Sequence, residues 1–339
     1  MAGKNVLAGQ VRPSHGHVLK QGAGKNTLIL ACITGTTGVL LPWLFWLFGG
    51  DAYVTSAFST PLSQTNPALI TMEVLFLGFM PVMIWHSVIV KGWARTIAAT
   101  AAVYLIAGTF EALGTNFGWI YGPYHYSDIW LFHVIGVPVI VPIAWETILY
   151  PSFYLSLYLI PTEVMNNPKT LTQKITSTAL LALLGACILT AIDLVLDPVC
   201  CGIGSWNWHV NGEFIAWMYG GEPIHNFFGW MITGFPVMLA YRFILGTTAT
   251  DRHVRSRVLD IYIPIAVYGF YFIALMEIEF IMQRHLDVVL VGGLSFGSLL
   301  IAFVTKLCYE KMGSYPNPIG TGIAEEVIAK EKILVMQEK

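Results

Sequence analysis

The sequence predicts an all-α fold, a polytopic membrane bundle of about eight transmembrane helices with both termini in the cytoplasm. Of its 339 residues, 55% are hydrophobic and 11% are charged, whereas soluble domains carry about 25% charged residues. Eight apolar runs are long enough to cross a bilayer, and none alternates as a half-buried strand would. Helices also satisfy their own backbone groups in lipid, where no water is available.

The distribution of basic residues supports this number of helices and predicts their orientation. The apolar runs cover residues 28–48, 69–90, 94–113, 134–160, 175–196, 225–245, 258–281 and 287–307. With this placement, every Lys and Arg except Arg284 falls on one side of the membrane. The positive-inside rule assigns that side, and with it both termini, to the cytoplasm.

The same placement divides the chain into three parts. Residues 1–27 are a cytoplasmic N-terminal segment, residues 28–312 the transmembrane domain that carries the site, and residues 313–339 a cytoplasmic tail. No small-residue cleavage site follows the first run, so we interpret it as a retained helix. The expected location is the cell membrane, or the endoplasmic reticulum in a eukaryote.

Several partners and cofactors are disfavoured by composition and motifs. The net charge of -2 argues against a nucleic-acid partner. The five cysteines show no paired CxxC spacing, and the sequence has no histidine cluster, P-loop or GxGxxG turn. The sequence therefore predicts no metal and no cofactor, with membrane lipid as a partner. It does not predict an oligomeric state.

Carboxylic acids inside the apolar runs are the main candidates for chemistry, because a carboxylate within hydrocarbon is costly. They are Glu73, Glu111, Glu146, Asp193, Asp197, Glu277 and Glu279. Asp193 and Asp197 share one helix face, and we expect Pro198 to end that helix. Two close carboxyls in a poorly solvated site do not both ionise, so one keeps its proton and the other acts as a base. The alternative is a structural pair that caps helix ends or binds Asn and Trp donors.

Two loops rich in Gly, Trp and Tyr flank these acids. Residues 114–132 and 197–230 contain no Lys or Arg, so we expect them to fold back over the helices rather than extend into water. An aromatic belt at the membrane interface is the alternative. The side chains expected to bind substrate are Trp145, Glu146, Tyr124, Trp206, Trp208, His225, Asn226 and Trp230.

Acids and aromatic rings together indicate proton-initiated chemistry on an uncharged alkene. A carboxylic acid protonates the alkene, aromatic faces stabilise the tertiary carbocation, and water captures it with a carboxylate as base. Diphosphate chemistry is disfavoured, since there is a single DxxxD spacing and only Arg284 to meet a diphosphate. Two alternatives remain: an internal alkene traps the cation, as in a terpene cyclase, or the acids serve a transporter or an apolar-ligand binding protein.

Five segments carry a resemblance to a known family. They are FEALGTNFGWIYGPYHYS (110–127), GVPVIVPIAWETILYPS (136–152), DLVLDP (193–198), WNW (206–208) and YGGEPIHNFFGW (219–230). Together they resemble the membrane carotenoid-biosynthesis hydratase family, over about a third of the chain and in the same order. The resemblance implies an apolar polyene or isoprenoid as the partner, with addition of water to the terminal C=C of its acyclic end group to give a tertiary alcohol without a redox cofactor.

The resemblance also implies roles for individual residues. Glu111, Asp193 and Asp197 fall on the acids of the family pattern, and Asn226 and Trp230 fall on its Asn and Trp. Either aspartate would supply the proton, while the other aspartate and Glu111 would position or activate water. The loop after WNW is longer here than in the pattern, and the first two helices lie outside it, which bears on the identity of the substrate.

Overall fold

The computed structural model describes residues 15–59, 67–130, 132–159, 170–209, 218–246, 262–283 and 285–311. The predicted tail, the first fourteen residues and Arg284 lie outside these ranges. The long helices are α1 (His15–Ser59), α2 (Pro67–Lys91), α3 (Trp93–Phe117), α4 (Ile140–Leu159), α5 (Leu171–Gly202), α6 (His225–Ile244), α7 (Ile263–Glu277) and α8. Helix α7 continues as a π-helical segment, Ile278–Gln283, and α8 comprises Leu286–Gly292, the π-helical Gly293–Gly297 and Ser298–Lys311.

The all-α membrane bundle is therefore confirmed. Seven of the described helices are long and apolar enough to cross a bilayer. The remaining helix, α4, is the centre of the bundle and packs against α2, α3, α5, α6 and α7. Its side chains from Trp145 to Ser156 are buried without a break, so its polar groups are enclosed by protein instead of facing lipid. The chain is an integral, multi-pass membrane protein.

The fourth apolar run was predicted to be helical from residue 134, and this part of the prediction is wrong. His133–Val134 and Val137–Pro138 form a two-stranded hairpin, and the helix begins at Ile140. Gly136 has a φ of 79°, which a residue without a Cβ adopts without strain, and it turns the chain between the two strands.

Pro198 does not end its helix as predicted, because α5 continues to Gly202. Proline has no backbone N–H, so the carbonyl of Leu194 loses its usual helical donor. The hydroxyl of Tyr219 donates to that carbonyl oxygen at 3.1 Å. Gly220 lies against the proline ring, where a Cβ would come within 2.5 Å of Pro198 Cγ. A donor from outside the helix thus compensates for the missing bond.

Three short antiparallel ribbons lie in the connections at one end of the bundle, which we call the ribbon end. They are β1 (Tyr124–Tyr126) with β4 (Trp206–Trp208), β2 (His133–Val134) with β3 (Val137–Pro138), and β5 (Met218–Tyr219) with β6 (Glu222–Pro223). The first ribbon joins the two aromatic loops, pairing Tyr124 with Trp208 and Tyr126 with Trp206. The described parts of the two loops therefore fold together over the helix ends, as expected from their composition.

Candidate functional site

A narrow cavity lies beneath the β1–β4 ribbon. Its volume is about 50 Å³, which is enough for a few water molecules or for the end of a ligand chain. Most of the lining is aromatic and contributed by α2 to α6 and the first ribbon: Phe76, Tyr121, Tyr124, Tyr126, Trp130, Trp145, Trp206, Trp208 and Trp230, with Glu111, Asp197, Asn226, Cys200 and four aliphatic residues. The charged and amide side chains of the lining are few: Glu111, Asp197 and Asn226.

Most of the residues selected from the sequence lie around this cavity. Those in its lining are Glu111, Tyr124, Trp145, Asp197, Trp206, Trp208, Asn226 and Trp230. Asp193 lies one helical turn behind Asp197 and is fully buried. Glu146 and His225 are not part of the lining. The geometry therefore brings the two aspartates, Glu111 and the aromatic side chains into one region.

The first ribbon supplies one aromatic wall. Side chains alternate along each strand, so Tyr124 and Tyr126 share the inner face with Trp206 and Trp208. The rings of Tyr124 and Trp208 are 5.0 Å apart, and those of Tyr126 and Trp206 are 5.8 Å apart. His125 is on the outer face, exposed, and contacts His209 at 2.9 Å. Its position thus excludes it from the cavity.

Glu111 accepts hydrogen bonds from three side chains. The hydroxyls of Tyr124 and Tyr126 donate to Oε2 at 2.5 and 2.6 Å, and the indole N–H of Trp145 donates to Oε1 at 2.9 Å. Burial, and then the negative charge of Glu111, raise the pKa of both tyrosines well above their ordinary value, so they remain donors. Three donors favour the charged form of a buried carboxyl group, and Glu111 is therefore the acid of the site that we consider as a base below.

Gly114 allows this arrangement. It lies on α3 one turn after Glu111, and a Cβ there would come within 2.9 Å of Tyr124 Cε1 and 2.7 Å of Tyr121 Cδ2. Only a hydrogen at this position leaves room for the ring of Tyr124 to reach across the helix to the carboxylate. The pattern Glu-x-x-Gly before a Tyr-rich loop therefore has a steric cause.

Asp197 is the centre of a second polar group. Asn226 Nδ2 donates to its Oδ2, and the indole N–H of Trp230 also donates to the carboxylate. Its carboxyl also contacts those of Asp193 and Glu222. Two carboxyls form a hydrogen bond only when one of them is protonated. We call the group formed by Asp193, Asp197 and Glu222 the carboxyl cluster; contacts of this kind favour protonated carboxyls within it.

The sequence did not indicate Glu222 as a site residue, because it lies outside the apolar runs. It lies on β6, is fully buried, and accepts from Asn226 Nδ2 at 2.7 Å. Burial, and then the neighbouring Asp197 carboxylate, raise the pKa of Glu222 well above its ordinary value. Its spacing of four residues from Asn226, after a Gly-Gly turn, is the signal that could have identified it.

The far wall of the cavity is a pair of stacked indoles. The rings of Trp145 and Trp230 are 4.2 Å apart at 23°. Each also donates its N–H to a different acid, Trp145 to Glu111 and Trp230 to Asp197. The stack therefore fixes the two acidic groups relative to each other while presenting aromatic surface to the cavity.

Glu146 and His225 have other surroundings. Glu146 is buried farther from the ribbon end, where Thr100 donates to it at 3.4 Å and Tyr241 lies beside it. His225 is half-buried at the start of α6 and packs against Gly122, where a Cβ would be 2.3 Å from Nε2. Within the described ranges, no set of three or more His, Cys, Asp or Glu side chains is arranged to hold a metal ion; the absence of a metal stays a prediction.

The sequence model of a family described as "Carotenoid biosynthesis protein" matches residues 65–298. A curated relative, bisanhydrobacterioruberin hydratase from Haloarcula japonica, is 26% identical over 163 residues, which is 48% of this chain and 50% of the relative. The match thus spans about half the length of that relative. No solved structure matches the chain.

Proposed function

Because this chain belongs to the carotenoid biosynthesis protein family, we propose that it is a membrane hydratase acting on an acyclic carotenoid or related isoprenoid. It adds water to a terminal C=C to give a tertiary alcohol. The observation that carries the proposal is the pairing of two unlike acidic groups across one aromatic cavity. The carboxyl cluster holds protons, whereas Glu111 is surrounded by donors that stabilise its charge.

Asp197 is the proton donor in this proposal. It is the member of the carboxyl cluster whose side chain lines the cavity. Neither oxygen of Asp193 accepts from an N–H or hydroxyl group of the described residues, and its contact is with Asp197. Like charges this close do not all ionise. A proton leaving through Asp197 is therefore replaced from Asp193 or Glu222.

The proton is added to one alkene carbon, and the positive charge develops on the neighbouring carbon that bears two methyl groups. Aromatic faces attract a cation most strongly where water is excluded. Trp145, Trp230, Trp206 and Trp208 surround the cavity on both sides. The Glu111 carboxylate faces the same space, so the cation is stabilised by charge as well as by ring faces.

Water completes the addition. Its oxygen bonds to the cationic carbon while one of its protons passes to Glu111, the base. The atoms balance: the alkene gains one hydrogen on carbon and one hydroxyl, and the proton lost by the carboxyl cluster equals the one gained by Glu111. No electron is transferred, so the addition needs no oxidant or reductant.

The test is incubation of purified protein with a panel of acyclic carotenoids and shorter terpenoids in water enriched in heavy oxygen. Mass spectrometry should find a tertiary alcohol that carries the heavy oxygen. Unchanged polyene after long incubation would favour a transporter or binding protein, in which the acids serve a proton path or a structural network.

Proton-initiated cyclisation is the second candidate, and the predominantly aromatic lining of the cavity supports it. A cation held away from water can be captured by an internal alkene of the same molecule. The same incubation distinguishes the two reactions. A product with a new ring and without heavy oxygen would identify a cyclase.

A further inference from the structure

Glu279 is a buried acid near the ribbon end that the proposed reaction does not use. Glu279 belongs to the π-helical segment Ile278–Gln283 at the ribbon end of α7. Its side chain is 0% exposed, and neither carboxyl oxygen accepts a hydrogen bond within the described residues. Buried acids in membrane helices mark proton relays by default, and π-helical segments are frequent at functional sites.

Glu279 contacts a histidine that is exposed to water. His285 Nδ1 lies 3.4 Å from Glu279 Oε2, and the imidazole side chain is 47% exposed. Asp287, exposed at the start of α8, also lies within electrostatic range of Glu279. An imidazole can accept a proton on one ring nitrogen and release one from the other, so a histidine between a buried acid and solvent can carry protons. Glu279 is thus one side chain away from the aqueous phase at the ribbon end.

Tyr219 leads from Glu279 towards the carboxyl cluster. Burial raises the pKa of its hydroxyl, and the charges of three nearby carboxylates raise it further. Those carboxylates are Asp287, Glu222 and Glu279. Tyr219 is also the direct cross-strand partner of Glu222 in the β5–β6 ribbon. Tyr219 therefore has both Glu222, a member of the carboxyl cluster, and Glu279 among its neighbours.

We propose that the carboxyl cluster exchanges protons with water at the ribbon end through Glu279 and His285. We call these two residues the port. The inference deepens the proposed function and rests on it. After each addition, the released proton is on Glu111, and the cluster across the cavity lacks one. Product still occupies the space between them, so a route outside the cavity restores its proton. Glu111 loses its proton to water when the product leaves.

Glu277 provides a matched control. It is an acid on the same helix, two residues earlier, and accepts from the indole N–H of Trp43 at 2.9 Å on the α1 side. Substitution of either glutamate by glutamine removes one carboxyl and keeps the volume. Only the change at Glu279 removes a group near His285 and Tyr219.

The experiment measures proton exchange without turnover. Wild-type protein and the Glu279→Gln, Glu279→Asp and Glu277→Gln variants, each in lipid nanodiscs, are transferred from H2O to D2O. Infrared spectroscopy then follows the shift of the protonated-carboxyl C=O band that Asp197→Asn and Glu222→Gln remove. We expect Glu279→Gln to slow this exchange about 100-fold, the lower end of what a positioned proton-transfer group contributes.

The other variants complete the test. Glu277→Gln should exchange at the wild-type rate, and Glu279→Asp, which retains a carboxyl, should recover most of it. Exchange at the wild-type rate in Glu279→Gln would overturn the port, as would equal slowing in both glutamine variants. Either result would leave the proposed hydration intact. The infrared band reports on the protons of the carboxyl cluster, whereas the heavy-oxygen incubation reports on the product.

Discussion

The indole N–H of Trp145 donates to Oε1 of Glu111 at 2.9 Å, from the central helix of the bundle to its neighbour. The same indole stacks on Trp230, which donates to Asp197. Two tryptophans thus connect the carboxylate on one side of the cavity to the carboxyl cluster on the other. Ring stacking therefore sets the distance between the proposed proton donor and the proposed base, and a stack tolerates little change in shape.

Replacing Trp145 by phenylalanine should keep an aromatic face but remove the donor to Glu111. A hydrogen bond to a charged group contributes about 1.5–3 kcal/mol, so kcat/KM for hydration should fall roughly 10- to 100-fold. Trp130→Phe is the control, because Trp130 Nε1 also lies in the cavity wall but has no partner within the described ranges. Equal losses in both variants would show that the bond to Glu111 has no special role.

The two tyrosines should act on the base in the same way. Tyr124→Phe and Tyr126→Phe each remove one donor to Glu111 Oε2, and each should reduce kcat about tenfold, with a larger loss in the double variant. Tyr271→Phe removes a buried hydroxyl that bonds Thr147 at 2.7 Å, outside the cavity lining. It should lower stability and leave kcat unchanged, and steady-state kinetics on all four proteins make the comparison.

Glu222 should make the stability of the folded protein depend on pH. Its folded pKa is raised above the ordinary value of 4.5 by burial and by Asp197. The folded state therefore binds more protons than the unfolded state between these two values, and stability falls as pH rises through the folded pKa. Thermal unfolding in detergent from pH 4 upward should show this decline. Glu222→Gln should flatten it; an unchanged slope would assign the dependence to other groups.

The bond from Tyr219 to Leu194 should matter because Pro198 leaves that carbonyl without a helical donor. Tyr219→Phe should destabilise the protein by about 1 kcal/mol. In a Pro198→Ala background, the new backbone N–H can reach the same carbonyl, so the tyrosine substitution should cost less. A double-mutant cycle of unfolding free energies measures this coupling. Purely additive effects would contradict the compensation.

Much of the fold could be predicted from the sequence because lipid imposes strong rules. The length of the apolar runs predicted the helices, and the order of these runs agrees with that of α1 to α8. The short ribbons at the ribbon end were not predicted, since strands of two or three residues leave too little alternation to detect. Pro198 within α5 was also missed, because its compensating donor comes from Tyr219, which is remote in the chain.

The site was predictable where an acid stood in an apolar run. Glu111, Asp193 and Asp197 stood out for that reason, and the aromatic loops indicated what covers them. Glu222 lies in a loop of the sequence, where an acid is not unusual. Only the fold of the β5–β6 ribbon places it in the interior. Glu146 had the same signal as Glu111, but its side chain lies next to Thr100 and Tyr241 and not in the cavity that Trp145 lines. Only the packing of α4 among its neighbours determines this.

The most direct test of the central claim follows the proton onto carbon. Wild-type protein and Asp197→Asn are incubated in D2O with an acyclic carotenoid, and mass spectrometry measures deuterium bound to carbon in the product. Wild-type protein should place deuterium on the carbon next to the new tertiary alcohol. Asp197→Asn should do so about 10²- to 10⁴-fold more slowly while still binding the polyene. Deuteration at the wild-type rate in Asp197→Asn would contradict the proposal that this carboxyl protonates the alkene.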